Sequence, residues 1–349
     1  MVKLKDLAEK SGFSITTVSR ALAGYKDVNE HTRQQIIEIA LEMGYQPNMV
    51  ARQLRARKTH TVGIIAPSAS GRFADDYFSE LLMSVGHAAA QRGYDLLVTA
   101  KTTADEMDAY RRIVGGNRVD GMVIARTRRR DARIAYLRAA RHPFVVSGRA
   151  APDEESDFPY IDADSQLGIR WILNHLTGLG HQRIALLLPP DRVAFTPYRL
   201  AGYRQGLEDA GLSYREAYVL NSDLSRSGGQ QAAHHLLDNY PEITAIVACN
   251  DPMAIGAMNA IQTRNMRVGQ DIAVTGFDDI TAADFAHPRL TTVRQPIKEI
   301  GQRLLEMLIQ IIHQIPLEQP QVLLSPELVI RESCGAGQQR KEAVSPVRE

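Results

Sequence analysis

Cysteine is nearly missing from this chain. Cys249 and Cys334 are its two cysteines in 349 residues, too few for a disulfide framework and without the spacing of a metal-binding set. Tryptophan occurs once, and aromatic residues make up only 6%. Long apolar runs are missing too. No stretch of 18 apolar residues occurs, and the N-terminus has no apolar core of a secretion signal. No membrane span or export is therefore expected, and a cytoplasmic location is. No Gly-rich phosphate loop follows the first apolar run and no nucleophile elbow is present, which argues against an open α/β enzyme and leaves no cofactor to expect. Charge of one sign is missing only on average. The net charge is +1, yet the first 60 residues hold ten Lys/Arg against six Asp/Glu, a net +4, leaving −3 for the rest. Basic charge at one end favours phosphate contact.

That basic end contains an ordered set of helix signals. Leu4, Leu7 and Ala8 share one helical face, Gly12 is a stop, and Ser14 can cap a second helix. In the second helix Val18, Ala21 and Leu22 face inward, which leaves Ile15, Thr16, Thr17, Ser19 and Arg20 for a partner. Hydroxyls, methyls and a guanidinium on one short helix suit the base edges of a major groove, where Arg can take guanine O6 and N7 together. A third helix follows, with Asn29 as cap, Ile36, Ile37, Ala40 and Met43 as its buried side and Gly44 as stop.

From residue 61 onward, β-branched apolar runs at 61–66, 94–99, 121–125 and 143–147 alternate with helical patterns, and a second series follows at 183–188, 217–220, 243–248 and 272–277. Helices are expected at 79–92, 167–176, 199–210 and 252–264. Two successive βα series imply two doubly wound subdomains, with ligand at the carboxyl ends of the strands. At 349 residues, two or three domains are expected.

The motifs Lys5-Asp6-Leu7-Ala8, Thr17-Val18-Ser19-Arg20, Gly44-Tyr45-Gln46-Pro47-Asn48 and Val50-Ala51-Arg52-Gln53-Leu54 together resemble the LacI/GalR family of bacterial transcriptional regulators. The likeness runs to about residue 334. It implies an all-α helix-turn-helix head (1–47), a hinge helix and linker (48–60) and an α/β periplasmic-binding-protein-like body of two doubly wound subdomains (61–334). It places 61–160 and 293–323 in the first subdomain and 161–292 and 324–334 in the second, the chain crossing back near 291–295. Residues 335–349 are polar, lack pattern and are expected to be disordered. By the same resemblance Ile15, Thr16, Thr17, Ser19 and Arg20 read DNA, together with Asn48, Leu54 and Arg55 of the hinge, with Leu54 as an apolar wedge in the minor groove.

For the cleft, the resemblance implies effector contacts at Tyr77, Phe78, Arg199, Asn250 and Asp278. A carboxylate, an amide and a guanidinium can bind several hydroxyls while an aromatic ring covers a sugar face. Leu224 and Val193 stand where purine-responsive members carry an aromatic and an arginine, which favours a sugar over a nucleobase. Ser147-Gly148-Arg149 stands where many sugar-responsive members carry an acid, leaving that contact open. The first loop looks similar to that of oligosaccharide and glycoside regulators. Asp162 and Asp164 read as turn or interdomain residues, Cys249 as a buried small hydrophobe, and the basic run 126–130 as surface.

The expected protein is a homodimeric repressor whose sugar effector alters its affinity for a near-palindromic operator. A corepressor-dependent regulator answering to a nucleobase or other small metabolite, and a solute receptor for transport, are the competing readings.

Overall fold

The structure, a computed structural model, describes residues 2–25, 27–45, 58–66, 76–100 and 106–336. Asn48, Leu54 and Arg55 of the expected hinge, residues 71–75 of the first loop and the tail from 337 lie outside them. The chain divides into two compact units, Met1–Thr59 and His60–Glu349.

In the first unit, α1 (Leu4–Ser11), α2 (Ile15–Leu22) and α3 (Glu30–Glu42) surround a small core of Leu7, Ala8, Val18, Ala21, Val28, Ile36 and Ala40. Leu4, Leu22 and Met43 pack at its rim, whereas Ile37 is only half-buried. Each boundary has a local cause. Gly12 takes φ 73° at the end of α1 and donates its N–H to the Ala8 carbonyl at 3.1 Å, a position where a side chain would be strained. The Ser14 hydroxyl accepts from Thr17 N–H at 3.1 Å, and the Asn29 amide oxygen from His31 N–H at 2.8 Å, satisfying donors that a helix start leaves free.

The second unit runs β1 (Thr61–Ala66), α4 (Asp76–Gln91), β2 (Asp95–Ala100), α5 (Glu106–Gly115), β3 (Gly121–Ala125), α6 (Ala132–Ala139), β4 (Phe144–Ser147), β5 (Tyr160–Ala163), α7 (Ser165–Gly178), β6 (Ile184–Leu188), α8 (Thr196–Asp209), β7 (Val219–Asn221), α9 (Arg226–Asn239), β8 (Ala245–Ala248), α10 (Asp251–Gln262), β9 (Ala273–Thr275), α11 (Thr281–Asp284), β10 (Thr292–Arg294), α12 (Ile297–Ile312), β11 (Gln321–Leu324) and β12 (Glu327–Val329). Among the described residues, parallel strands in the order β11-β5-β4-β3-β1-β2 form one sheet and β7-β6-β8-β9 another. The fully apolar runs of β1, β3, β6 and β8 are buried on both faces, as parallel strands under helices must be.

The chain passes between the two sheets at β5, β10 and β12. After β10 it returns α12 and β11 to the first sheet; α12 packs Ile297, Ile300, Leu304, Leu305 and Leu308 into that core. β12 then pairs antiparallel with β10, Val293 opposite Leu328. Two expectations shift. β5 is a strand that its polar alternation, Tyr160-Ile161-Asp162-Ala163, concealed. The run 217–220 begins as a 3-10 turn (Glu216–Tyr218) before β7. In the second subdomain α9 and α10 approach closely at Gly229 and Gly256, where a Cβ would collide with the Met253 and Arg226 carbonyls.

Candidate functional site

On α2, Ile15, Thr16 and Arg20 are exposed, Ile15 by 48%, while Thr17 and Ser19 are half-buried. The Thr17 hydroxyl sits 2.9 Å from that of Ser14, tied to the cap. Gly24, at φ 74°, turns the chain so that Tyr25 N–H donates to the Arg20 carbonyl at 3.1 Å. This closing turn brings Tyr25 back against the last turn of α2, with its ring 5.1 Å from the Arg20 guanidinium.

The second site lies where the carboxyl ends of both sheets meet. Asp278 follows β9 with φ 114°, a left-handed conformation unusual for an aspartate. Its carboxylate accepts from Gln295 Nε2 at 2.6 Å. Burial pushes the Asp278 carboxyl above its ordinary value, against Arg199, the Gln295 hydrogen bond and Arg126, which favour the charged form. Arg199, 4% exposed, is held between the rings of Phe277 (3.9 Å) and Phe195 (4.2 Å) and donates to the Cys249 carbonyl. Among the described residues its Nε is buried without a hydrogen-bond partner. Neighbouring Asp251 is fully buried, accepting from the Thr292 hydroxyl (2.6 Å) and Ile280 N–H (2.8 Å). Burial and the proximity of Asp278 raise its carboxyl well above the usual range.

From the first subdomain, the Tyr77 hydroxyl reaches within 3.3 Å of the Ser147 hydroxyl, and burial raises the phenol. Asp162 at the end of β5 faces Arg149 Nε at 3.2 Å; burial, offset by Arg149, pushes its carboxyl up to about 6. Between the subdomains lies a cavity of about 240 Å³, bounded by Asp76, Tyr77, Glu80, Asp278, Asp279 and Ile297. Among the described residues its lining includes four carboxylates and neither arginine nor lysine. A larger open recess, about 650 Å³, is lined by Asn174, Thr177, His181 and Asp209. It sits at the C-terminal ends of α7 and α8, the amino edge of the sheet, away from the strand ends where βα folds bind ligand.

The subdomains also touch directly. Arg129 N–H donates to the Arg192 carbonyl (3.0 Å), Ala194 N–H to the Thr127 carbonyl (3.2 Å), and the Tyr198 hydroxyl to the Ala150 carbonyl (2.8 Å). The cleft is closed along this side.

Residues 3–48 match the model of bacterial regulatory proteins of the lacI family, and residues 173–334 that of a periplasmic binding protein-like domain. The HTH-type transcriptional regulator AglR of Rhizobium meliloti (strain 1021) is 33% identical over 99% of this chain and 98% of its own. The chain belongs to the LacI family of bacterial regulatory proteins. It is similar to the solved complex of the transcriptional regulator CelR with cellobiose (TM-score 0.75, 30% identity, 95% of this chain and 100% of that one). It is similar also to the Lac repressor dimer bound to operator and the anti-inducer ONPF (TM-score 0.83, 29% identity, 96% and 99%). The protein is a DNA-binding transcriptional regulator with a type I periplasmic-binding-like body.

Within this regulator, the expected site residues divide. Tyr77 and Asp278 line one cavity, and Arg199 lies close enough to Asp278 to favour its charged form. Phe78 does not join them. It is 1% exposed in the core of the first subdomain beside Leu81 and Val85, because adjacent residues of α4 point apart and only one can face the cleft. Asn250 caps α10, accepting from Met253 N–H and donating to the Leu224 carbonyl, both at 2.9 Å. The run 126–130 is not a solvent-facing patch. Thr127 is buried, Arg128 pairs with Glu106 at 2.6 Å, Arg129 pairs with Asp153, and the backbone crosses to 192–194. Sequence reasoning read the run containing Arg126 as surface, left the contact at Ser147 open and missed Gln295. Arg126 was discoverable, for it directly follows the buried run of β3 and so stands at a strand's carboxyl end. Gln295 was not: it meets Asp278 only because β10 recrosses.

Proposed function

We propose that this regulator is a cytoplasmic, homodimeric repressor whose operator affinity is set by a neutral, polyhydroxylated sugar, an oligosaccharide or glycoside, bound between its two subdomains, and that it catalyses no reaction. The observation that supports the sugar best is the cleft itself. Asp278, buried and held by Gln295, offers acceptor lone pairs to hydroxyls, Arg199 is fixed by two rings, and Tyr77 closes the opposite wall. Of the four carboxylates around the cavity Asp279 is paired with Arg294 and Arg331, and the remaining acids with no lining cation disfavour sugar phosphates and uronates. A relative that binds cellobiose agrees with this reading. Ile15, Thr16, Thr17, Ser19 and Arg20 of α2 contact base edges; Asn48, Leu54 and Arg55 act in the minor groove. The effector works through its differential affinity for open and closed clamps.

A thermal-shift screen of neutral mono- and disaccharides, glycosides, sugar phosphates and nucleobases tests the assignment. A neutral sugar should raise the melting temperature of the wild type and not of Asp278→Ala. A shift with nucleobases or sugar phosphates alone would reject it.

A further inference from the structure

Arg20 of α2 forms an ion pair with Asp27, which lies in the loop between α2 and α3. Arg20 donates Nε–H to Asp27 Oδ1 at 3.3 Å, and its Nη2 pairs with Asp27 Oδ2. Both side chains are about half exposed, so the pair adds little to stability. Its geometry is nevertheless specific. A guanidinium has five N–H donors and two edges that can grip a planar acceptor, the side edge (Nε, Nη2) and the end edge (Nη1, Nη2). Asp27 occupies the side edge. Tyr25 lies against the guanidinium at 5.1 Å, fixed there by the turn at Gly24. The loop that supplies both residues is anchored in its turn: Arg33 Nη2 donates to the Tyr25 carbonyl at 2.8 Å and the Val28 carbonyl at 3.2 Å.

From this we infer that Asp27 is a specificity-determining residue: it occupies the side edge of Arg20 so that the end edge is presented, already oriented, to O6 and N7 of a guanine. The inference rests on the proposal that Arg20 contacts base edges. Two consequences follow from the chemistry. A long side chain that is already held loses less rotamer freedom when it meets its base, so the specific complex gains. A guanidinium neutralised by a carboxylate attracts phosphates less, so binding to random DNA is weakened. Both effects widen the ratio of specific to non-specific binding, the quantity that matters among many competing sites.

The test is parallel in vitro selection from a randomised duplex pool with the full-length wild type, Asp27→Asn, Asp27→Ala and Arg20→Ala, followed by titration of the selected duplex, its guanine-substituted versions and a scrambled duplex. Arg20→Ala identifies the guanine that Arg20 reads. At that position both Asp27 variants should lose guanine preference by roughly tenfold, while their affinity for the scrambled duplex holds or rises. Unchanged preference in the Asp27 variants, whether binding is tighter or not, overturns the inference and leaves Asp27 a bystander or a competitor of DNA. Absence of any position where Arg20→Ala matters, with the wild type still selecting a sequence, instead removes the assigned role of Arg20.

Discussion

Asp162 sits on an unexpected strand, and its chemistry follows from that place. Its side chain is 17% exposed and faces Arg149 at 3.2 Å, yet burial outweighs the ion pair and raises the carboxyl from 3.8 to about 6. A raised folded-state value means that the folded protein holds this proton more tightly than the unfolded chain. The burial of charge therefore costs stability above pH 6, about 3 kcal/mol at 1.36 kcal/mol per unit. That cost is relieved as pH falls from 6 toward 3.8. Asp162→Asn should remove this component. Between pH 8 and pH 5 the wild type should gain on the variant in denaturant unfolding; parallel curves for the two proteins would refute the assignment. Arg20 and Asp278 illustrate the reverse limit of residue-level reading. Both stand out in the sequence, but the partners that orient them, Asp27 and Gln295, do not.

At the level of elements, most boundaries were legible because they have local causes. Gly12, Ser14 and Asn29 stop or cap helices where their side-chain chemistry requires, and the apolar runs at β1, β3, β6 and β8 fall where strands form. β5 was missed because alternation with Asp162 resembles a turn, and Phe78 was misplaced because register on α4 decides which of two neighbouring aromatics faces the cleft. The close crossing of α9 and α10 is a tertiary demand written as glycine. Gly256→Ala, innocuous by helix propensity, should destabilise the second subdomain by about 1–3 kcal/mol through overpacking against the Arg226 carbonyl. Thermal unfolding of the variant checks this, and an unchanged or higher midpoint would show that the helices part freely.

Over the whole molecule, charge is divided between a basic N-terminal stretch and a slightly acidic remainder. The net +4 of the first 60 residues should make operator binding fall by about 10³ between roughly 50 and 200 mM salt if a dimer neutralises six or more phosphates. Anisotropy titrations with a selected duplex measure that slope, and a flat dependence would argue against phosphate contact by the head. Affinity for the proposed sugar, assigned to buried groups in the cleft, should barely move over the same range. What the sequence determined by itself is the order of parts: the helix-turn-helix signals, the two βα series and the basic bias, because caps, stops and periodicity act between residues a few positions apart. What only the tertiary structure decided is the composition of the sites. Gln295 beside Asp278, Thr127 bonded to Ala194 and Asp27 on Arg20 are contacts fixed by where the chain turns back. Such contacts require two surfaces to be folded before either side chain acquires a partner.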